Sequence, residues 1–144
     1  MEIGQYIDTL EDYSLISKDT PLISNLNMLE NIALIKEVHE LLSIEKAENI
    51  AKESLEKIGL SHIGLNRLNQ CSSLEVFYVM FIRALMSRDM NVIITTPFFL
   101  ISNLRDIQPI LDNIEILNTH KNIFIFDNIT NKSHYEGSSC PIVK

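Results

Sequence analysis

Basic residues are scarce in this chain. Its 144 residues carry twelve Lys and Arg against nineteen Asp and Glu, a formal net charge of −7. Nucleic-acid backbones are held by a surplus of Lys and Arg on one face; here the basic residues are scattered among the acids, so nucleic acid is excluded as a partner. Cysteine is nearly missing as well. Cys71 and Cys140 stand far apart, with no CxxC and no flanking His cluster, which fits a reduced pair better than a disulfide or a metal site. His39, His62, His120 and His134 show no HxxxH or HxH spacing, so no metal is expected. The longest apolar run, VFYVMFI (76–82), is far short of the roughly 20 residues that cross a bilayer. The acidic N-terminus, MEIGQYIDTLEDYS, has neither the basic start nor the apolar core of a signal peptide. A cytoplasmic location without membrane insertion is expected.

What remains is an ordinary globular balance, 46% apolar and 22% charged, in a chain whose length predicts a single domain over 1–144. EDYSLIS (11–17) reads as a short edge strand, and KDTPLISNL carries turn signals at Asp19 and Pro21. From Asn27 the apolar residues Met28, Leu29, Ile32, Ile35, Val38, Leu41 and Leu42 recur at helical spacing. A second helix follows Ser43, lines one face with Ile44, Ala47, Ala51, Leu55 and Ile58, and stops at Gly59. After the loop LSHIGLNRLNQC, the capping-box pattern Ser72-Ser73-Leu74-Glu75 starts a third helix, apolar nearly all round, that runs to about Arg88.

NVIITTPFFL (91–100) is a strand of continuous apolar character, as in a sheet buried on both faces. A fourth helix carries Ile107, Ile110, Leu111, Ile114 and Leu117, with Asp106 as its cap and Pro109 in its first turn. NIFIF (122–126) reads as another buried strand, and the polar tail DNITNKSHYEGSSCPIVK is expected to be poorly ordered until Pro141. This order predicts an α/β fold with a short, mostly parallel sheet of about three strands and flanking helices. Ligands of such sheets bind beyond the strand C-termini, here Thr95–Pro97 and Asp127–Asn128.

The stretch CSSLEVFYVMFIRALMSRDMNVIITTPFFLIS (71–102) resembles the ABC-transporter ATPase segment that runs from LSGGQ through an IARAL-like helix to a strand ending in DEP. KDTPLISNLNMLENIAL (18–34) is similar to the segment after that family's glutamine loop, and AENIAKESLEKIGL (47–60) to the helix before its signature motif. KNIFIFDN (121–128) falls where the family has a strand ending in its switch histidine. The resemblance covers about 13–130. It implies half of a P-loop-NTPase-like fold, with a helical subdomain at 25–70 and a remnant of the ATPase core at 71–130.

The resemblance also implies a degenerate site. No GxxxxGK[ST] occurs in these residues, as if the chain began after the phosphate-loop lobe. Lys18 stands for the loop glutamine, and Ser72 and Glu75 stand in a signature that has lost both glycines. Thr95 replaces the aspartate of the magnesium shell and Thr96 the glutamate that activates water; neither hydroxyl is a carboxylate base. Ser102 replaces a later acid and Asn128 the switch histidine. No catalytic residue, cofactor site or metal site is therefore expected, and the chain is read as a non-enzyme.

Simpler readings exist for each position. Thr95 and Thr96 are ordinary strand formers, Ser72 and Glu75 a plain helix cap, and Lys18 a solvated lysine. Cys71 begins a helix, a place where thiol pKa values fall, although a bystander thiol is the simpler reading. The resemblance also implies that NIFIF loses its neighbouring strand. Its edge, with Asn122, Phe124 and Phe126 as candidate partner-binding residues, would need covering by residues 1–10, by the terminal CPIVK or by a second chain. The partners so implied are a second copy of the chain or an ABC-transporter subunit. In the latter case 18–45 would meet the permease and association with the membrane would be peripheral.

Overall fold

In the computed structural model the described residues are 12–118 and 120–142. Three parallel strands, β1 (Tyr13–Ile16), β2 (Asn91–Thr95) and β3 (Asn122–Phe126), lie side by side in that order. In β2, Val92, Ile93 and Ile94 are fully buried, as its unbroken apolar run predicted. β3 corrects the expectation of a buried strand: its residues are exposed or half-buried, because it ends the described sheet. The pleat sends alternate side chains to opposite faces. Ile16, Val92 and Ile94 join the main core, with Ile123 and Ile125 packed against it. By register, Leu15, Ile93 and Phe124 form one row across the other face.

The core is completed by α1 (Met28–Glu40), α2 (Ile44–Lys57) and α3 (Ser73–Leu85). Each starts at a local cap. Asn27 and Glu30 exchange bonds reciprocally, Ser43 accepts from the Lys46 amide, and Ser72 and Glu75 form the predicted box, contributing roughly 1 kcal/mol apiece. α3 buries seven consecutive-turn residues from Phe77 to Ala84 and stops three residues before Arg88. Its stop has a tertiary cause: the ammonium of buried Lys121 donates to the carbonyls of Ser87 (2.8 Å) and Asp89, holding that turn out of the helix.

One helix was not expected. A short helix, α4 (Pro97–Leu100), follows β2 directly, before α5 (Gln108–Leu117). Asp106 does accept from the Gln108 amide at 3.0 Å, but from one residue ahead of the cap position, which Ile107 occupies. The tail corrects the expectation of poor order. Ile129–His134 forms a 3-10 turn, Tyr135 is buried, and Gln108 grips Ser139 through both its amide groups, at 3.1 and 2.8 Å.

The segment between β1 and α1 is fastened from two sides. Asn31, 1% exposed, accepts from the Ile23 amide at 2.7 Å and donates to the carbonyls of Ile23 and Asn27. Arg83 donates to the carbonyls of Thr20 (2.6 Å) and Pro21 (3.1 Å). These bonds pair the Ile23 amide and the Thr20 and Pro21 carbonyls, and they fasten the stretch that follows Lys18.

Candidate functional site

The C-terminal ends of the three strands open onto a cleft of about 480 Å³. Lys18 enters it from the turn after β1, Thr95 and Thr96 from the end of β2, and Asp127 and Asn128 from the end of β3. Four of the sequence-predicted positions, Lys18, Thr95, Thr96 and Asn128, thus meet in one place. The other three do not line it. Ser72 and Glu75 sit at the start of α3, where Ser102 is brought alongside through its amide, which donates to the Ser73 hydroxyl at 2.9 Å. The Ser17–Lys18 turn separates the cleft from a more apolar hollow of about 380 Å³, walled by Leu22, Phe77, Met80 and Leu100 and reaching Ser73.

Inside the cleft, two of the four predicted positions have side chains bonded to neighbouring residues. Thr95 donates its hydroxyl to the Ile16 carbonyl at 3.3 Å, bridging β2 to β1. Asn128 caps the 3-10 turn, accepting from the amide and hydroxyl of Thr130 at 3.1 and 3.2 Å. Thr96 is the outlier. Its backbone is left-handed (φ 48, ψ 58), a conformation that penalises a β-branched residue. Its amide donates to the Phe126 carbonyl at 2.7 Å and its carbonyl accepts from Phe99 and Leu100. The twist therefore ends the sheet ladder and starts α4 in a single residue.

Asp127 is the cleft group that residue-by-residue comparison passed over. Its Oδ1 accepts from the Asn128 amide (2.7 Å) and from Asn131 (2.8 Å), and its Oδ2 from the Tyr135 hydroxyl (2.6 Å). Burial, then the neighbouring carboxylate, pushes the Tyr135 phenol up from its ordinary range. The signal for Asp127 was its place at a strand C-terminus; Tyr135, eight residues on, had none. The cleft's charged groups are one cation, Lys18, against two carboxylates, Asp19 and Asp127.

Elsewhere, Cys71 does not have an activated thiol. Burial raises its pKa, Glu75 raises it further, and a bond with Asn66 opposes both. Glu75 itself accepts from the Ser72 amide at 2.8 Å and lies 3.7 Å from His62, which is cap geometry. Among the described residues no group of three His, Cys, Asp or Glu side chains converges as a metal ligand set, and no helix is long and apolar enough to cross a membrane. On β3, Asn122, Phe124 and Phe126 share the face opposite the core by alternation, and Asn122 donates to the Asn91 side chain at 3.2 Å. The proposed cover from residues 1–10 lies outside the described residues, as do the last two residues of CPIVK. Pro141 and Ile142 line a hollow with Ile125, on the core-facing side of β3.

No protein-family model matches the chain, and no curated protein does. Solved structures do. One is the ATP-binding cassette MJ0796 in a dimeric post-hydrolysis state bound to ADP and Pi, similar at a TM-score of 0.60 and 18% identity. The match covers 90% of this chain and 59% of that one. The chain thus spans less than two-thirds of that protein's length. At this identity the likeness establishes the fold alone: three parallel strands and their flanking helices match part of the fold of that ATP-binding cassette.

Proposed function

We propose that this chain is a catalytically silent counterpart of ABC ATPases that acts through protein contacts, as an accessory of an ABC transporter on the cytoplasmic side. The observation that carries the reading is the state of the cleft. Thr95 and Asn128 stand where the family resemblance asks for a metal-shell acid and a switch histidine, and both are bonded to neighbouring backbone. Thr96, in the place of the water-activating acid, offers a hydroxyl that cannot serve as a base near neutral pH. The balance of one cation against two carboxylates opposes a triphosphate. Fold alone does not carry function, so the reading rests on these side chains.

Two measurements test it. Thermal unfolding with and without Mg-ATP reads nucleotide binding directly, since a ligand at a hundred times its Kd adds about 2.7 kcal/mol; an unchanged curve is expected, and a raised midpoint contradicts the reading of the cleft as closed to a triphosphate. Enrichment of permease or ATPase subunits with the tagged chain from native membranes supports the accessory role, through 18–45. The half-buried aromatic face of β3, with Phe124 and Phe126 at the end of the described sheet, favours a second reading, a homodimeric scaffold unrelated to transport. Light scattering separates the two: a monomer at all concentrations removes the scaffold.

A further inference from the structure

The cleft's uncommitted groups have a chemistry of their own. Asp127 is clamped by three hydrogen bonds, yet a carboxylate has about four acceptor sites, so it retains capacity in a fixed orientation. Asn128 commits its Oδ1 to Thr130, which leaves its Nδ2 donors available. The Thr96 hydroxyl and the Asp19 carboxylate line the same cleft. At the rim Phe99 is 71% exposed, with the Lys18 ammonium 5.9 Å from its ring centre. Thus donors and acceptors are mixed, the net charge is slightly negative, and one exposed aromatic ring stands beside them, with the Lys18 ammonium over one face.

That combination selects among guests. An anion meets two carboxylates. An apolar guest strips water from polar groups and gives nothing in return. A neutral ring bearing several hydroxyls suits both demands, because each hydroxyl donates and accepts and the ring's C–H edge is attracted to the negative face of an aromatic. The cleft's volume of about 480 Å³ falls in the roughly 300–1,000 Å³ range of small-molecule sites. We propose that the cleft binds a neutral sugar ring of monosaccharide size, stacked on Phe99 and hydrogen-bonded by Asp127, Asn128 and Thr96. The proposal rests on the silent reading only in taking this cleft as not a triphosphate site.

The test is saturation-transfer NMR on the full chain, with D-glucose, D-galactose, D-mannose and D-ribose as separate probes and Mg-ATP in parallel. At least one sugar is expected to bind in the millimolar range. Phe99→Ala should weaken that sugar about tenfold and Phe99→Trp should restore it; Phe99 is exposed, so circular dichroism should be unchanged in both. Binding of the methyl glycoside as well as the free sugar points to a glycan end as the source, and loss of the glycoside points to the free sugar. No binding by any of the four, or binding indifferent to Phe99→Ala, overturns the proposal. Mg-ATP binding without sugar binding also overturns the reading of the cleft as closed to a triphosphate, whereas failure of both probes overturns the sugar proposal alone.

Discussion

The Tyr135 hydroxyl donates to Oδ2 of Asp127 at 2.6 Å, tying the buried ring of the tail to the carboxylate at the end of β3. Removing the hydroxyl with Tyr135→Phe leaves a part-buried carboxylate oxygen short of a partner and should cost about 1–3 kcal/mol in urea denaturation. The same pair sets an alkaline limb. The folded phenol titrates above its ordinary value of 10.0, so the folded state keeps a proton that the unfolded chain releases. Stability should be full below pH 10 and fall as pH rises above it. Tyr135→Phe should flatten that fall. A smaller limb should persist from Tyr78, whose pKa is also raised by burial.

Thr96 is predicted to be a site of relievable strain. With φ at 48, replacement by Gly or Asn removes or eases the left-handed penalty, and each variant should gain about 0.5–1 kcal/mol despite the extra freedom of an unfolded glycine. Equilibrium denaturation reads this; a loss of stability in both variants would show that the threonine side chain, and not the twist, holds the β2–α4 junction.

Restoring acids should not restore an engine. Thr95→Asp with Thr96→Glu places a carboxylate against the Ile16 carbonyl that the Thr95 hydroxyl now satisfies. Lower stability and no phosphate release from ATP are expected in a steady-state assay. Turnover by the double variant would show that the two threonines alone account for the silence, and turnover by the unmutated chain would refute the silent reading.

Asn31→Ala should be among the costlier single changes. It orphans the Ile23 amide and takes one of two donors from the carbonyls of Ile23 and Asn27, while emptying a side-chain site that is 1% exposed, at roughly 1–3 kcal/mol. Hydrogen exchange should show the Ile23 amide losing protection before the amides of β2.

Leu41 offers the opposite outcome. It closes α1 in the left-handed region (φ 55), with its amide donating to the Lys36 carbonyl, and is 87% exposed. Leu41→Gly therefore removes strain and buries nothing less, and a gain of up to about 1 kcal/mol is expected in thermal or chemical unfolding.

The parts legible in the sequence were those whose cause is local. The starts of α1, α2 and α3 were readable because Asn27, Ser43 and Ser72 bond to amides three residues ahead. β2 was readable because a run such as Val92–Ile94 must be covered on both faces. The illegible parts depend on distant partners. α4 begins where the Thr96 amide meets the Phe126 carbonyl, thirty positions away in sequence. The tail is ordered by Tyr135 on Asp127 and by Gln108 on Ser139, and nothing in SHYEGSSC announces either. In the cleft, family resemblance found Lys18, Thr95, Thr96 and Asn128, but it passed over Asp127, whose role comes from a hydroxyl eight residues downstream.

The Ser17–Lys18 turn is a party wall between two rooms. Its own fastening is short-range, with the Thr20 hydroxyl bonded to the Leu15 carbonyl and the Ser17 amide, while Arg83 and Asn31 bolt the stretch beyond it. A wall riveted at both ends gives each room a volume of its own. A tenant of one goes unnoticed next door until it is strong enough to break the guanidinium's hold.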